Sequence, residues 1–352
     1  MNNLTKITKT RTKTNRECEV DNIFAIQGKA FAIDRLKICY SCPSDLWDKL
    51  DRNNEFVTDE EMYFDLHSDD FGVDIITNTD AVSLTKKDDA IDGIRFLAIV
   101  HDKHFNPIEI GELYISNSNK YKFMAFFQFT NFALYHVFGF DENNNPYNAL
   151  HYLPMIEKYF NLTFKSITKL ELAVDTNINV ISRIRKYIRD IDNFDMVING
   201  KKVRYDSDIL PLYGEYYERS RTALSSNPTL YFHQKDDSYS LRVYDKSREI
   251  EKSNKTYISD AKHLYRCELT IRNEDIKEFC KSLVGNVELS KYSDYARILE
   301  FLNVEEFQFL LFYRYSKRMV YFIDKKTKVR HYLTDILNIS DKFREILKIY
   351  QK

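Results

Sequence analysis

Glycine, proline, cysteine and tryptophan are all scarce in this chain of 352 residues, which holds 8 Gly, 6 Pro, 5 Cys and 1 Trp. So little glycine and proline excludes collagen-like repeats and low-complexity linkers. Nothing matches the glycine-rich phosphate loop GxxxxGK[ST], so the chain is not read as an intrinsic helicase. The cysteines, Cys18, Cys39, Cys42, Cys267 and Cys280, form no framework. "CYSC" has no second Cys or His pair to complete a zinc site, and reduced thiols fit a cytoplasmic setting. A signal sequence and an apolar run of about 18 residues are also missing, so no membrane insertion is expected.

Charge of one sign is lacking overall, because the net charge is −1. That argues against a protein that coats nucleic acid nonspecifically. The charges are segregated, however. Residues 1 to 16 carry Lys6, Lys9, Arg11, Lys13 and Arg16 with no acid, in a stretch rich in Thr and Asn that is predicted to be disordered. Residues 45 to 92 are acidic, and from Arg314 onward 11 Lys/Arg face four Asp/Glu. Such a distribution allows one basic surface on a near-neutral protein.

What the chain has in abundance is aromatic and apolar patterning: 25 Tyr, 25 Phe, and 43% hydrophobic residues beside 30% charged. This is a globular balance in one large domain or two. "AIDRLKICYSCPSDLWDKL" (32 to 50) alternates as a strand, turns at Pro43-Ser44, and takes helical spacing through Leu46, Trp47 and Leu50. "SITKLELAVDTNINVISRIRKYI" (166 to 188) does the same, with Val180, Ile181, Ile184 and Ile188 inward. The two segments read as a duplicated strand-helix unit. Further strands are predicted at 93–101, 107–116, 121–130, 229–235, 240–246 and 264–272, and a helix at 147–160. From 276 the pattern turns helical. The predicted class is α+β with a mainly antiparallel sheet. The predicted organisation is a basic tail (1–20), an α+β domain (21–275) and a helical C-terminal subdomain (276–352).

Three strands bring chemistry to one sheet face. In "TKLELAVDT", Glu171, Ala173 and Asp175 alternate against Leu170, Leu172 and Val174. In "YRCELTIR", Arg266, Glu268, Thr270 and Arg272 share a face. In "SLRVYDKSREIEK" (240 to 252), Arg242, Tyr244 and Lys246 do so. A phenol titrates near ~10 and needs a base, a metal or neighbouring cations to attack at neutral pH. Clustered carboxylates hold a hard divalent cation, and Arg and Lys bind phosphate. The set suits cleavage of a phosphodiester through a covalent phosphotyrosine. A plain solvated sheet face would alternate in the same way.

Residues 166 to 273 resemble the rolling-circle plasmid replication initiator family, which includes relaxases of integrative conjugative elements. The resemblance rests on "KLELAVD", on Thr229 and Tyr231, on Arg242-Val243-Tyr244-Asp245-Lys246, and on "YRCEL", in that order. It departs where His233 stands for the family's glycine and Glu171 for a common aspartate. The resemblance implies an α+β nicking enzyme that attacks one DNA strand at an origin. Tyr244 would be the nucleophile, Arg242, Lys246 and Arg266 would bind the scissile phosphate, and Glu171, Asp175 and Glu268 would hold Mg²⁺ or Mn²⁺. It further implies a 5′-phosphotyrosyl intermediate, a freed 3′-OH, a host helicase and polymerase, and a homodimer. Tyr217, in "YGEYYERSR" read as a loop or short helix, is the competing nucleophile. Arg314, Lys317, Arg318, Lys325, Lys326, Lys328 and Arg330 are the candidate contacts to duplex DNA. A DNA-binding regulator without catalysis is the alternative reading.

Overall fold

The computed structural model describes residues 23–24, 31–46, 63–64, 82–87, 93–101, 107–136, 138–140, 146–203, 216–218, 229–233, 239–253 and 264–351. The basic tail (1–20) and the predicted first-repeat helix beyond Leu46 lie outside them. The chain divides into two compact units, 34–170 and 1–33 with 171–352, and both cuts fall inside strands.

The 34–170 unit is built on long antiparallel strands. They are β1 (Ala32–Ser41), β2 (Val82–Lys87), β3 (Gly93–His101), β4 (Pro107–Ser116), β5 (Met124–Phe129) and the start of β6 (Thr163–Thr176). Their order is β6-β1-β5-β4-β3-β2. Leu36, Ile38, Tyr40, Phe96, Ala98, Leu113, Ile115, Ala125 and Phe127 are buried at alternate positions, the period of a half-buried sheet. Two short helices, α1 (Asn131–Tyr135) and α2 (Leu153–Tyr159), add apolar side chains to that core. Gly111 sits where β4 and β5 run closest: a Cβ there would meet Gln128 O at 2.6 Å and the Phe127 ring at 2.8 Å. One of the few glycines is therefore spent on close packing.

The other unit continues β6 and adds α3 (Val180–Arg189), β7 (Phe194–Ile198), β8 (Lys201–Lys202), β9 (Tyr216–Glu218), β10 (Leu230–His233) and β11 (Tyr239–Asp245). It goes on with α4 (Lys246–Ser253), β12 (Tyr265–Ile271), α5 (Asn273–Ser282) and α6 (Glu305–Met319). It ends with β13 (Val320–Asp324), β14 (Arg330–Tyr332) and α7 (Arg344–Gln351). Its main sheet runs β9-β10-β11-β12-β6, and β8-β7-β13-β14 form a smaller one. Asn179 caps α3 by accepting the Ser182 N–H at 2.9 Å, and Val180, Ile181, Ile184 and Ile188 are buried as the spacing predicts. One face of the main sheet, with Leu241, Val243, Cys267 and Leu269, lies in the apolar core, and α6 packs against β11 and β12.

The fold is α+β with a mainly antiparallel sheet, as the registers of β10 with β11, β11 with β12, β1 with β5 and β4 with β5 show. Two local readings change. Tyr216–Glu218 pairs with Leu230–Phe232 as a strand, not a loop or helix, because the β10 edge offers a ladder to satisfy its backbone. The region after 276 carries β13 and β14 among its helices; "VYFID" alternates with period two and pairs with β7. Among the described residues no helix is long and apolar enough to cross a membrane.

Candidate active site

The second face of the β9-β10-β11-β12-β6 sheet is charged, and much of that charge is withdrawn from water, although Arg242 stays 39% exposed. Glu171, Asp175, Arg266 and Glu268 are at most 4% exposed, and Lys246 is 1% exposed. Charges taken that far from water persist only when paired and hydrogen-bonded, so each neighbour in the register matters.

Register places Tyr231 opposite Arg242, Arg242 opposite Glu268, and Tyr244 opposite Arg266. Glu268 is the hub. Its Oε2 accepts the Tyr244 hydroxyl at 3.0 Å, and its Oε1 accepts Nη2 of Arg242. The phenol is thus aimed at a carboxylate by its own strand geometry. Arg242 stands 5.9 Å and Lys246 Nζ 5.7 Å from the centre of the Tyr244 ring, so two cations lie close to the phenol ring, where their charge favours a phenolate.

Lys246 reaches that place from a helix. It opens α4 rather than ending the strand, and its ammonium pairs with Glu249 at 2.5 Å. Asp245 turns the chain there, accepting the Arg248 N–H at 3.3 Å as a helix cap. The sequence "YDKSRE" therefore codes the end of a strand and the start of a helix, with a phenol and an ammonium on either side of the join.

Asp175 and Arg266 form a pair of their own. Arg266 Nε and Nη2 each donate to the Asp175 carboxylate at 2.6 Å, a bidentate fork with both partners buried. Glu171 and Glu268, both buried, instead bring carboxylate oxygens within 4.8 Å of one another. Asp34, a further buried acid, lies on β1, beside the residue at which the strand is cut between units, and its Oδ1 accepts the Tyr135 hydroxyl. Sequence reasoning missed it. The signal was present: Asp34 shares the parity of Leu36, Ile38 and Tyr40, an acid on a strand's apolar face.

Beneath the sheet, burial and the Asp175 carboxylate raise the Cys267 thiol far above its ordinary range, so it is no competing nucleophile. Tyr217 pairs by register with Tyr231, and His233, the last residue of β10, with Ser240.

The candidate DNA contacts separate into two groups. Arg314 donates to Glu278 at 2.7 Å, to Ser282 at 2.8 Å and to Tyr350 at 3.2 Å. Arg318 also reaches Glu278, at 3.4 Å, and Lys317 lies 4.5 Å over the Tyr313 ring, its pKa lowered by burial and then by Arg314 and Arg318. These three tie α6 to its neighbours. Lys326, Lys328 and Arg330 are exposed at the β13–β14 turn, while Lys325 is held by the Ile191 carbonyl and lies 3.7 Å from Asp195.

No protein-family model and no curated protein matches this chain. Among solved structures, the rolling circle replication initiator protein from Geobacillus stearothermophilus is similar at 15% identity over 70% of this chain and 76% of that one, with a TM-score of 0.35. A superposition that loose carries no argument about what this chain does.

Proposed function

We propose that this chain nicks one strand of DNA by attack of Tyr244, as an initiator of rolling-circle replication or a relaxase of DNA transfer. The observation that carries the reading is the Tyr244 hydroxyl hydrogen-bonded at 3.0 Å to a buried carboxylate that Arg242 also holds. The order of motifs around it, from "KLELAVD" to "YRCEL", supports the same reading.

In this reaction the Tyr244 oxygen forms a bond to phosphorus while its proton passes to Glu268. The P–O3′ bond breaks, the 5′-phosphate stays on the phenol, and the departing 3′-oxygen takes a proton from water. Arg242 and Lys246 offset charge on the phenolate and on the phosphate oxygens. Arg266 is committed to Asp175, so its part is to hold that carboxylate and keep β12 in register with β6.

Glu171 and Glu268 would hold Mg²⁺ or Mn²⁺. Both offer hard oxygen donors close enough to be shared by one divalent cation. The two Glu268 oxygens keep lone-pair directions for a ligand besides Tyr244 and Arg242. Such an ion would supply Lewis-acid polarisation of the phosphodiester and offset charge on its non-bridging oxygens.

Supercoiled plasmid carrying the cognate origin, incubated with protein and Mn²⁺, should yield nicked circles with protein joined to the 5′ end. Tyr244→Phe should abolish both, while changing origin binding by less than about 1 kcal/mol, because one hydroxyl is lost. Nicking at the wild-type rate by Tyr244→Phe would remove Tyr244 from this role and direct the same test to Tyr217.

A further inference from the structure

The 34–170 unit carries a second sheet face outside the candidate active site. Register aligns Cys39, Phe126, Tyr114 and Arg95 in one row across β1, β5, β4 and β3. Phe126 and Tyr114 are half-buried, their ring centroids 6.4 Å apart and their planes 24° from parallel. Lys37 lies 5.3 Å over the Phe126 ring and Arg95 5.7 Å over that of Tyr114.

The turn before β5 extends this pattern. Tyr121 packs edge-on against Phe126 at 5.6 Å, yet remains 39% exposed, and Phe123 is 40% exposed. Lys120 and Lys122 flank them, each about 5.0 Å from the ring of the following residue. The turn is pinned: Ser118 Oγ accepts the Tyr121 N–H at 3.3 Å, and the Phe123 carbonyl accepts the Cys42 N–H at 3.0 Å. Phe123 has φ 60°, a left-handed conformation that bulky residues avoid. The backbone thus holds a phenyl ring outward at a conformational cost, where a polar residue or glycine would be the ordinary choice.

Cations outnumber carboxylates here. Lys37, Arg95, Lys120 and Lys122 are joined by Lys165, whose ammonium reaches Met124 Sδ at 3.9 Å, near Phe126 in the chain. Against them stands Glu112, 3.6 Å from Arg95, with Glu109 toward the far end of β4. A protein partner would be met by an apolar core with charge at its rim. Rings interleaved with cations on an open antiparallel sheet suit bases stacked on the rings and phosphates met by the ammonium groups.

We propose that this face binds a single-stranded nucleic acid, with Tyr121, Phe123, Tyr114 and Phe126 as stacking platforms and Lys120, Lys122, Lys37 and Arg95 as phosphate contacts. The inference stands apart from the cleavage reading, since it concerns binding at a different set of residues.

The test is the anisotropy of a labelled oligo-dT of about 20 nucleotides, in EDTA, with the full chain. Tyr121→Ala combined with Phe123→Ala should weaken binding at least about tenfold, with the melting temperature unchanged. As a second variant that keeps both rings, Lys120→Gln with Lys122→Gln should flatten the slope of log K against log salt by about 1.4, or about 0.7 for each phosphate that is no longer neutralised. Unchanged affinity and slope in both variants would overturn the proposal. So would an equal loss on a blunt duplex of the same length, which would mean general charge attraction. Because EDTA stops metal-dependent cleavage and neither readout requires a nick, failure of this proposal and failure of the nicking reading give different results.

Discussion

Asp175 and Glu171 are two residues of the same strand, four apart, with the same burial and opposite roles in the energetics. Asp175 is matched by the Arg266 fork, so removing it leaves a guanidinium buried without its partner. Asp175→Ala should therefore lower the unfolding free energy by about 3–5 kcal/mol, read from urea melts. Glu171 lies instead beside the buried Glu268 carboxylate, where like charges oppose one another. Glu171→Gln should leave stability in EDTA unchanged or raised, and should increase the Mn²⁺ concentration that cleavage requires. The reverse pattern, with Asp175→Ala stable and Mn²⁺-hungry, would make Asp175 the ligand and Glu171 the structural acid.

At the scale of elements, α5 and α6 are joined by polar contacts as well as by Phe279 and Phe307. The Tyr315 hydroxyl donates to the Asp275 carbonyl at 2.5 Å, and the Arg314 guanidinium holds the Glu278 carboxyl below its usual range. A depressed folded pKa means that this ion pair stabilises at neutral pH, and that its contribution disappears as pH falls through the folded value, below about 4.3. Glu278 is exposed, so the effect is modest, under about 1 kcal/mol. Glu278→Gln should melt lower than wild type at pH 7, and the two melting curves should converge at acid pH. A constant offset at all pH values would assign the loss to packing rather than to the ion pair.

For the whole molecule, a net charge of −1 gives no general attraction to a polyanion, so the duplex binding that the proposed function requires would have to come from local surfaces. The β13–β14 turn is the best placed of the predicted contacts, since Lys326, Lys328 and Arg330 are exposed there while Arg314 is engaged within the fold. Replacing those three with Gln should weaken binding to origin duplex and flatten its salt dependence by about 0.9 in slope for each phosphate that is no longer neutralised. Nicking of a short single-stranded oligonucleotide should persist. Unchanged duplex affinity at low and moderate salt would move the docking surface elsewhere, with the basic N-terminal tail as the next to test.

Periodicity alone determined the strands around Glu171, Tyr244 and Glu268, because a two-residue repeat fixes which side chains share a face without reference to any partner. It likewise located α3 and the predominantly helical C-terminal region. It did not reach the ends of elements, where Lys246 leaves the strand to open a helix, nor the edge strand at Tyr216, which exists only because β10 offers it hydrogen bonds. Partner choice was beyond it altogether. Glu171 stands 97 positions before Glu268, and no local pattern tells whether Arg266 will turn to Asp175 or to a phosphate. Those pairings follow from strand order and register, set by how apolar faces from distant segments are buried together. The buried state of the charged face was likewise a tertiary outcome: alternation names the face, and only packing decides whether water reaches it.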